Sequence, residues 1–166
     1  MAPINDIRGL EGMSYTKNEK ALRCRLAAAY RLADLHGWAQ GINNHISLRI
    51  SQVRQLSIFL LRTFELTHLK NGLLPYFSLQ DTEHFLINPF GTLYSEVTAS
   101  SLIKVDMQGN VVEAGTTNYG VNVQGFMMHS AVHANRPDLK CVLHLRHPPV
   151  TSVSALLLTS SLSLNQ

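Results

Sequence analysis

Cysteine is scarce in this chain of 166 residues: Cys24 sits in a helical pattern and Cys141 in a strand pattern. Two thiols so placed make no disulfide framework and fit a reducing compartment. Long apolar runs are missing as well. No stretch reaches the roughly 18 apolar residues of a membrane span, and no apolar run follows a basic start, so neither membrane insertion nor a secretory leader is expected. Charge is modest, at 15% of residues. The formal net charge of +3 is no nucleic-acid signature, because Arg54, Arg62 and Lys70 against Glu65 supply two of those charges from one atypical segment. What is present is a 45% hydrophobic composition in a length that can bury one core. The chain reads as a cytosolic domain.

Residues 1–16 carry Gly, Pro, Asn and Ser without periodicity and predict a flexible lead-in. From Lys17, apolar residues Leu22, Leu26, Ala29, Tyr30 and Ala33 recur at three and four while Arg23, Arg25, Arg31 and Asp34 take the other positions. This is an amphipathic helix with Gly37 as its stop. Ile46, Leu48 and Ile50 alternate with His45, Ser47 and Arg49, which predicts a half-buried strand. A second strand runs from His84 to Ile87. Thr98 can cap a short helix over Ala99 to Ile103, and Val105 to Glu113 reads as a hairpin turning at Gln108-Gly109-Asn110, with Lys104 and Asp106 as solvated flanks. Phe126, His129, Val132 and His133 share one helical face, with Met127 and Met128 read as core packing. The turn Arg136-Pro137-Asp138 ends that helix, and a strand from Cys141 to Arg146 follows. Alternating helices and strands point to a layered α/β domain.

The segment Cys141-Val142-Leu143-His144-Leu145-Arg146-His147 looks like a metal site short of a ligand. In an extended strand an H-x-H pair puts both imidazoles on one face, where they can grip one tetrahedral ion. Here the third residue is Arg146, whose guanidinium has no lone pair to offer, and the odd spacing of His147 sends it to the opposite face.

Arg136-Pro137-Asp138-Leu139-Lys140-Cys141-Val142-Leu143-His144 with Val153-Ser154-Ala155 resembles the class II aldolase/adducin family, and within it the adducin head branch. Further blocks agree in order. They are Ala21 to Cys24, Tyr30 to Trp38, Asn44 to Arg49, Glu83 to Ile87, Pro89 to Leu102, and Gly115 to Asn118 with Gly120, Val121, Asn122, Gly125, Phe126 and His129. The resemblance implies a three-layer α/β/α class II aldolase-like domain with a central mixed or antiparallel sheet over residues 17–155. It also implies that the domain is incomplete at its C-terminus, where residues 156–166 form a tail unlike the family.

The second departure from the family is internal. The resemblance implies that the first strand turns almost directly into the second, yet Val53 to Gln80 intervene and carry Leu56, Ile58, Phe59, Leu60, Leu61, Phe64 and other apolar residues. Hairpin connections usually hold two to five residues. One reading is a translated intron, since Gln52-Val53 is compatible with CAG followed by GT and Phe77 to Gln80 with a pyrimidine-rich run ending in CAG. The other is an added helix on the sheet.

In the family's enzymes, three histidines hold zinc and a glutamate on the later helix moves the proton. His144 matches the first ligand, a vestigial candidate only; the second position is Arg146 and the third lies beyond the chain. The glutamate position is Gly125, which cannot transfer a proton. Positions that bind sugar phosphate match Ile42, Asn44, His45, Val123 and Gln124, and only Gly91 keeps its type. No catalytic residue, metal or cofactor is therefore expected. His144 alone reads as a buried histidine, the His129 and His133 pair is a weak metal candidate, and Arg146 reads as an anion site or an ion-pair partner of Asp138 or Glu113. The resemblance implies a non-catalytic protein of the membrane skeleton at the cytoplasmic face of the plasma membrane. Its head would associate with other adducin-like subunits, while contacts with actin and spectrin would run chiefly through regions absent here. The alternative is a zinc-dependent aldolase or epimerase acting on small sugars or sugar phosphates.

Overall fold

The computed structural model describes residues 3–9, 14–39, 41–42, 44–50, 83–145 and 152. Helix α1 spans Lys17–Leu35. It starts where the Thr16 hydroxyl accepts the Glu19 N–H at 3.2 Å, satisfying one of the donors that a helix N-terminus leaves open. It stops where Gly37 takes φ of +67°, a left-handed conformation that side chains resist. Its inner face buries Leu26, Tyr30 and Ala33 as expected, with Leu22 and Ala29 half-buried, but Ala27, Arg23 and Arg31 are buried too. Helical periodicity alone cannot foresee a charge that finds partners inside.

Five strands follow: β1 (His45–Ile50), β2 (His84–Ile87), β3 (Ile103–Val105), β4 (Val111–Glu113) and β5 (Cys141–His144), with helix α2 (Val123–Asn135) between β4 and β5. They form one antiparallel sheet in the order β4-β3-β2-β1-β5. Because side chains alternate along a strand, Ile46, Ile50 and Leu86 pack with α1, while Phe85, Ile87, Ile103 and Val105 pack around Phe126 of α2. The result is the α/β/α layering. It also corrects the half-buried reading of β1: His45, Ser47 and Arg49 are as buried as their apolar neighbours because α2 covers them. Each large apolar side chain so enclosed contributes on the order of 2 kcal/mol.

The Tyr30 phenol locks the two central strands. Its oxygen lies 2.5 Å from Ile46 O and accepts the N–H groups of Ile46 at 2.9 Å and Asn88 at 3.2 Å. Strands β1 and β2 pair directly, Leu48 with Leu86, Arg49 with Phe85 and Ile50 with His84. The segment 53–80 therefore connects two hydrogen-bonded neighbours; it lies itself outside the described residues, as does the tail 156–166.

Other expectations change. Residues 99–101 form a turn, not a helix: the Thr98 and Ser101 hydroxyls exchange hydrogen bonds with each other's backbone N–H, and Ile103 already belongs to β3. Lys104 is not solvated. Its ammonium lies 2.8 Å from carboxylate oxygens of both Glu19 and Glu113, while Arg23 reaches Glu113 at 2.7 Å and Leu102 O at 2.7 Å. Two cations and two carboxylates thus balance beneath α1. The lead-in is tied down at Ile7, which is buried, and at Asp6, which accepts Ser100 N–H at 2.9 Å. The β3–β4 hairpin turns where expected, with Asp106 accepting from the backbone of Gln108 and Asn110.

Candidate functional site

The polar face of β1 and the inner face of α2 meet in a cluster of imidazoles. Residues two apart on a strand share a face, so His45, Ser47 and Arg49 all look toward α2. On α2, Phe126, His129, Ser130 and His133 are the buried positions. Ser47 Oγ stands between two rings, 2.7 Å from His129 Nδ1 and 3.0 Å from His133 Nε2. A hydroxyl can give one proton and accept another, so Ser47 has the capacity to serve both rings, with the direction of each bond set by the histidine tautomers. His45 lies against His129 with ring centroids 4.3 Å apart, and meets His144 edge-on at 5.7 Å. The last contact follows from register, since His45 pairs across the strands with His144.

Burial makes His129 and His133 neutral. It pushes His129 down to about 3, helped by the nearby His45, His133 and His144, and pushes His133 down to about 4, helped by the Arg49 guanidinium. Arg49 closes the cluster at the far end. It donates to Glu83 at 2.6 Å and to His133 O at 2.5 Å, placing a cation at the C-terminal end of α2 where carbonyls and the helix dipole favour it.

The N-terminal turn of α2 holds the most informative position. Asn122 caps it by accepting Gly125 N–H at 3.0 Å. A Cβ at Gly125 would stand 2.5 Å from His45 Cε1 and 3.0 Å from Asn122 Nδ2. The imidazole of His45 fills the volume that any side chain at 125 would need. Position 125 thus lacks a carboxylate and, with His45 in place, lacks room for one.

The remaining predicted residues scatter. Asn44 is buried beside His45, whereas Ile42, Val123 and Gln124 are exposed and Gly91 sits in an exposed turn. His144 is half-buried at the end of β5; Arg146 and His147 lie outside the described residues. Both carboxylates proposed for Arg146 have other partners, Asp138 with Arg136 at 2.7 Å and Glu113 with Arg23 and Lys104. On α2, Val132, Met127 and Met128 face outward, correcting the core readings made for them, and Ser130 is inside instead, its hydroxyl donating to Met107 O at 2.6 Å. His129 and His133 do share a face, but the Ser47 hydroxyl occupies the point where a common ion would stand.

Among the described residues no group of three or more His, Cys, Asp or Glu is arranged to hold a metal ion. These donors do not fit the three-imidazole zinc centre that the resemblance implies: His144 is one donor, Arg146 cannot be another, and the residue that the resemblance aligns with the base is a glycine. The sequence reading missed His45 and Ser47 as the centre of the cluster. Their signal was present in the His-Ile-Ser-Leu-Arg alternation facing two histidines four apart, a polar strand face with a polar helix face to meet it.

Comparison with known proteins places this geometry in context. The model of the Class II Aldolase and Adducin N-terminal domain matches residues 24–165. Alpha-adducin of Mus musculus is 48% identical over 156 residues, covering 94% of this chain and 17% of its own length. Protein hu-li tai shao of Drosophila melanogaster is 46% identical over 156 residues, covering 94% of this chain and 11% of its own. Among solved structures, an aldolase II superfamily protein from Pseudomonas syringae superposes with a TM-score of 0.64 at 36% identity, over 84% of this chain and 44% of that one. The chain thus spans a small part of the curated relatives it matches. No helix among the described residues is long and apolar enough to cross a membrane.

Proposed function

The chain belongs to the class II aldolase and adducin family, and from that premise we propose that it is a non-catalytic, adducin-like assembly module. The observation that carries this reading is the imidazole of His45 standing where a side chain at 125 would go. Proton transfer needs a group of suitable pKa within hydrogen-bond reach of the substrate, and a catalytic zinc needs three protein ligands and an open position. Glycine at 125 supplies no such group, and Arg146 supplies no lone pair. His129 and His133 are neutral, turned onto Ser47 and sealed from solvent, so they make a polar core rather than acid–base machinery.

The partners of this reading are other adducin-like subunits, identical or related, within a spectrin–actin assembly at the cytoplasmic face of the plasma membrane. The identities to alpha-adducin and to hu-li tai shao support the subunit partners. The rival is a zinc-dependent aldolase or epimerase acting on small sugars or sugar phosphates, for which the likeness to the Pseudomonas syringae protein speaks. Two assays separate them. With zinc added, the chain should retain no tightly bound metal after dialysis and should turn over neither fuculose phosphate nor ribulose phosphate. Turnover that His144→Ala abolishes would overthrow the proposal. Light scattering after size exclusion should find self-association or a complex with an alpha-adducin head domain, and an isolated monomer in both cases would count equally against it.

A further inference from the structure

Three of the four longest stretches without Asp, Glu, Lys or Arg are 35–48, 84–95 and 114–135. The fold gathers them at one place. Tyr30 ties Ile46 to Asn88, Phe90 N–H donates to Gly120 O at 2.7 Å, and His45 lies against Gly125 and His129. Nine of the thirteen large apolar side chains exposed among the described residues fall in these stretches. The densest group is on α2. Met127, Met128 and Val132 are 50%, 57% and 40% exposed, and Gln124, Ala131 and Asn135 lie between and beside them. At 100° per residue these six surround the direction opposite the buried face of Phe126, His129, Ser130 and His133. A surface helix ordinarily carries charge on its outer side; this one is uncharged on every side.

We propose that the outer face of α2, centred on Met128, Ala131 and Val132, is the surface through which one copy of this chain meets another. The inference rests on the assembly reading above and assigns it a place. Charge decides the occupant. A membrane-surface helix carries Lys or Arg along its polar side, and nucleic acid requires cations; α2 offers neither, and Arg136 beyond its end is paired with Asp138. A partner with a strongly charged face would have to desolvate those charges against a surface with no counter-charge. A second copy brings the same neutral face. Interface cores are depleted of charge in this way, methionines adapt their shape to a partner, and a self-complementary patch is what a two-fold contact requires.

The test compares sedimentation velocity of the full chain with that of variants across a concentration series. M128E/V132E should weaken self-association at least tenfold while leaving the far-ultraviolet circular dichroism spectrum and melting temperature close to the parent. Ala131→Glu is the second variant, since it deletes no apolar contact within the monomer. Leu32→Glu, which places a charge on the exposed side of α1 outside these stretches, should leave association unchanged. An assembled parent unaffected by the α2 substitutions would overturn this surface while leaving the assembly reading intact. A parent that is monomeric alone and with an alpha-adducin head would overturn both, and a parent that is monomeric alone yet pairs with that head would overturn the second copy as occupant.

Discussion

Placing a methyl group on Gly125 tests whether His45 fills the site. At the third position of α2, alanine in place of glycine should favour the helix by about 0.5–1 kcal/mol, through lost backbone freedom in the unfolded chain. Against this stands a Cβ 2.5 Å from His45 Cε1. His45 is buried between His129 and His144 and cannot swing into water without giving up those contacts, so the intrusion should cost about 1–3 kcal/mol, the usual range for overpacking. Gly125→Ala is therefore expected to be neutral to destabilising by about 2 kcal/mol in the parent. With His45→Ala already present the 2.5 Å clash is gone, leaving the 3.0 Å approach to the Asn122 amide, which has to give by a few tenths of an ångström, and the same change should then stabilise by up to about 0.5–1 kcal/mol. Urea unfolding of the parent, both single variants and the double variant closes the cycle, with an expected coupling of about 1–3 kcal/mol. If Gly125→Ala stabilises both backgrounds equally, with coupling below about 0.3–0.5 kcal/mol, His45 does not occupy that volume and the argument against a side chain there is lost.

Acid should loosen the domain through the same cluster. A histidine whose folded pKa lies below its unfolded value of 6.5 stabilises fully above 6.5 and loses that contribution as pH falls, between 6.5 and about 4 for His133 and between 6.5 and about 3 for His129. Unfolding free energies from urea titrations should fall between about pH 6.5 and about pH 5 with a slope of up to about 1.4 kcal/mol per pH unit for each, and His133→Gln should flatten that slope; an unchanged slope would refute the assignment. Tyr30→Phe removes a hydroxyl serving Ile46 and Asn88 and should cost about 1–3 kcal/mol by thermal unfolding. Arg23→Met leaves Glu19 and Glu113 short of a cation and should cost about 3–5 kcal/mol in denaturant, with Glu19→Leu in the same chain recovering part of it.

Elements with strong periodicity or firm punctuation were legible in the sequence. The first helix from Lys17 to its stop at Gly37, the strand from His45, the strand from His84 and the hairpin at Gly109 all stand where patterning puts them. Polar residues with tertiary partners were not legible. Arg23 and Lys104 read as solvent-facing because one carboxylate partner of each is remote in the chain, Glu113 at 90 positions from Arg23 and Glu19 at 85 from Lys104. His45, Ser47 and Arg49 read as an exposed face because the helix that covers them comes 74 residues or more later. Met127 and Met128 erred in the opposite sense. Apolar character alone assigned them to the core, but Phe126 and the two histidines take the inward positions of that turn and its neighbour. Gly125 drew notice only because the resemblance implies a carboxylate there, whereas the ring that stands beside it depends on a backbone approach no local pattern encodes.

The pairing of Ile50 with His84 makes the junction between the two central strands a permissive doorway. The chain leaves the sheet and returns to it at neighbouring points, so the length of what lies between has little leverage on register. On chain-entropy grounds, lengthening that connection from about five residues to about 33 costs only about 2 kcal/mol. Two transcripts that differ by an in-frame block at this point could therefore specify one and the same sheet, and exon-level variation here would change the length of the connection without changing the register of the strands it joins.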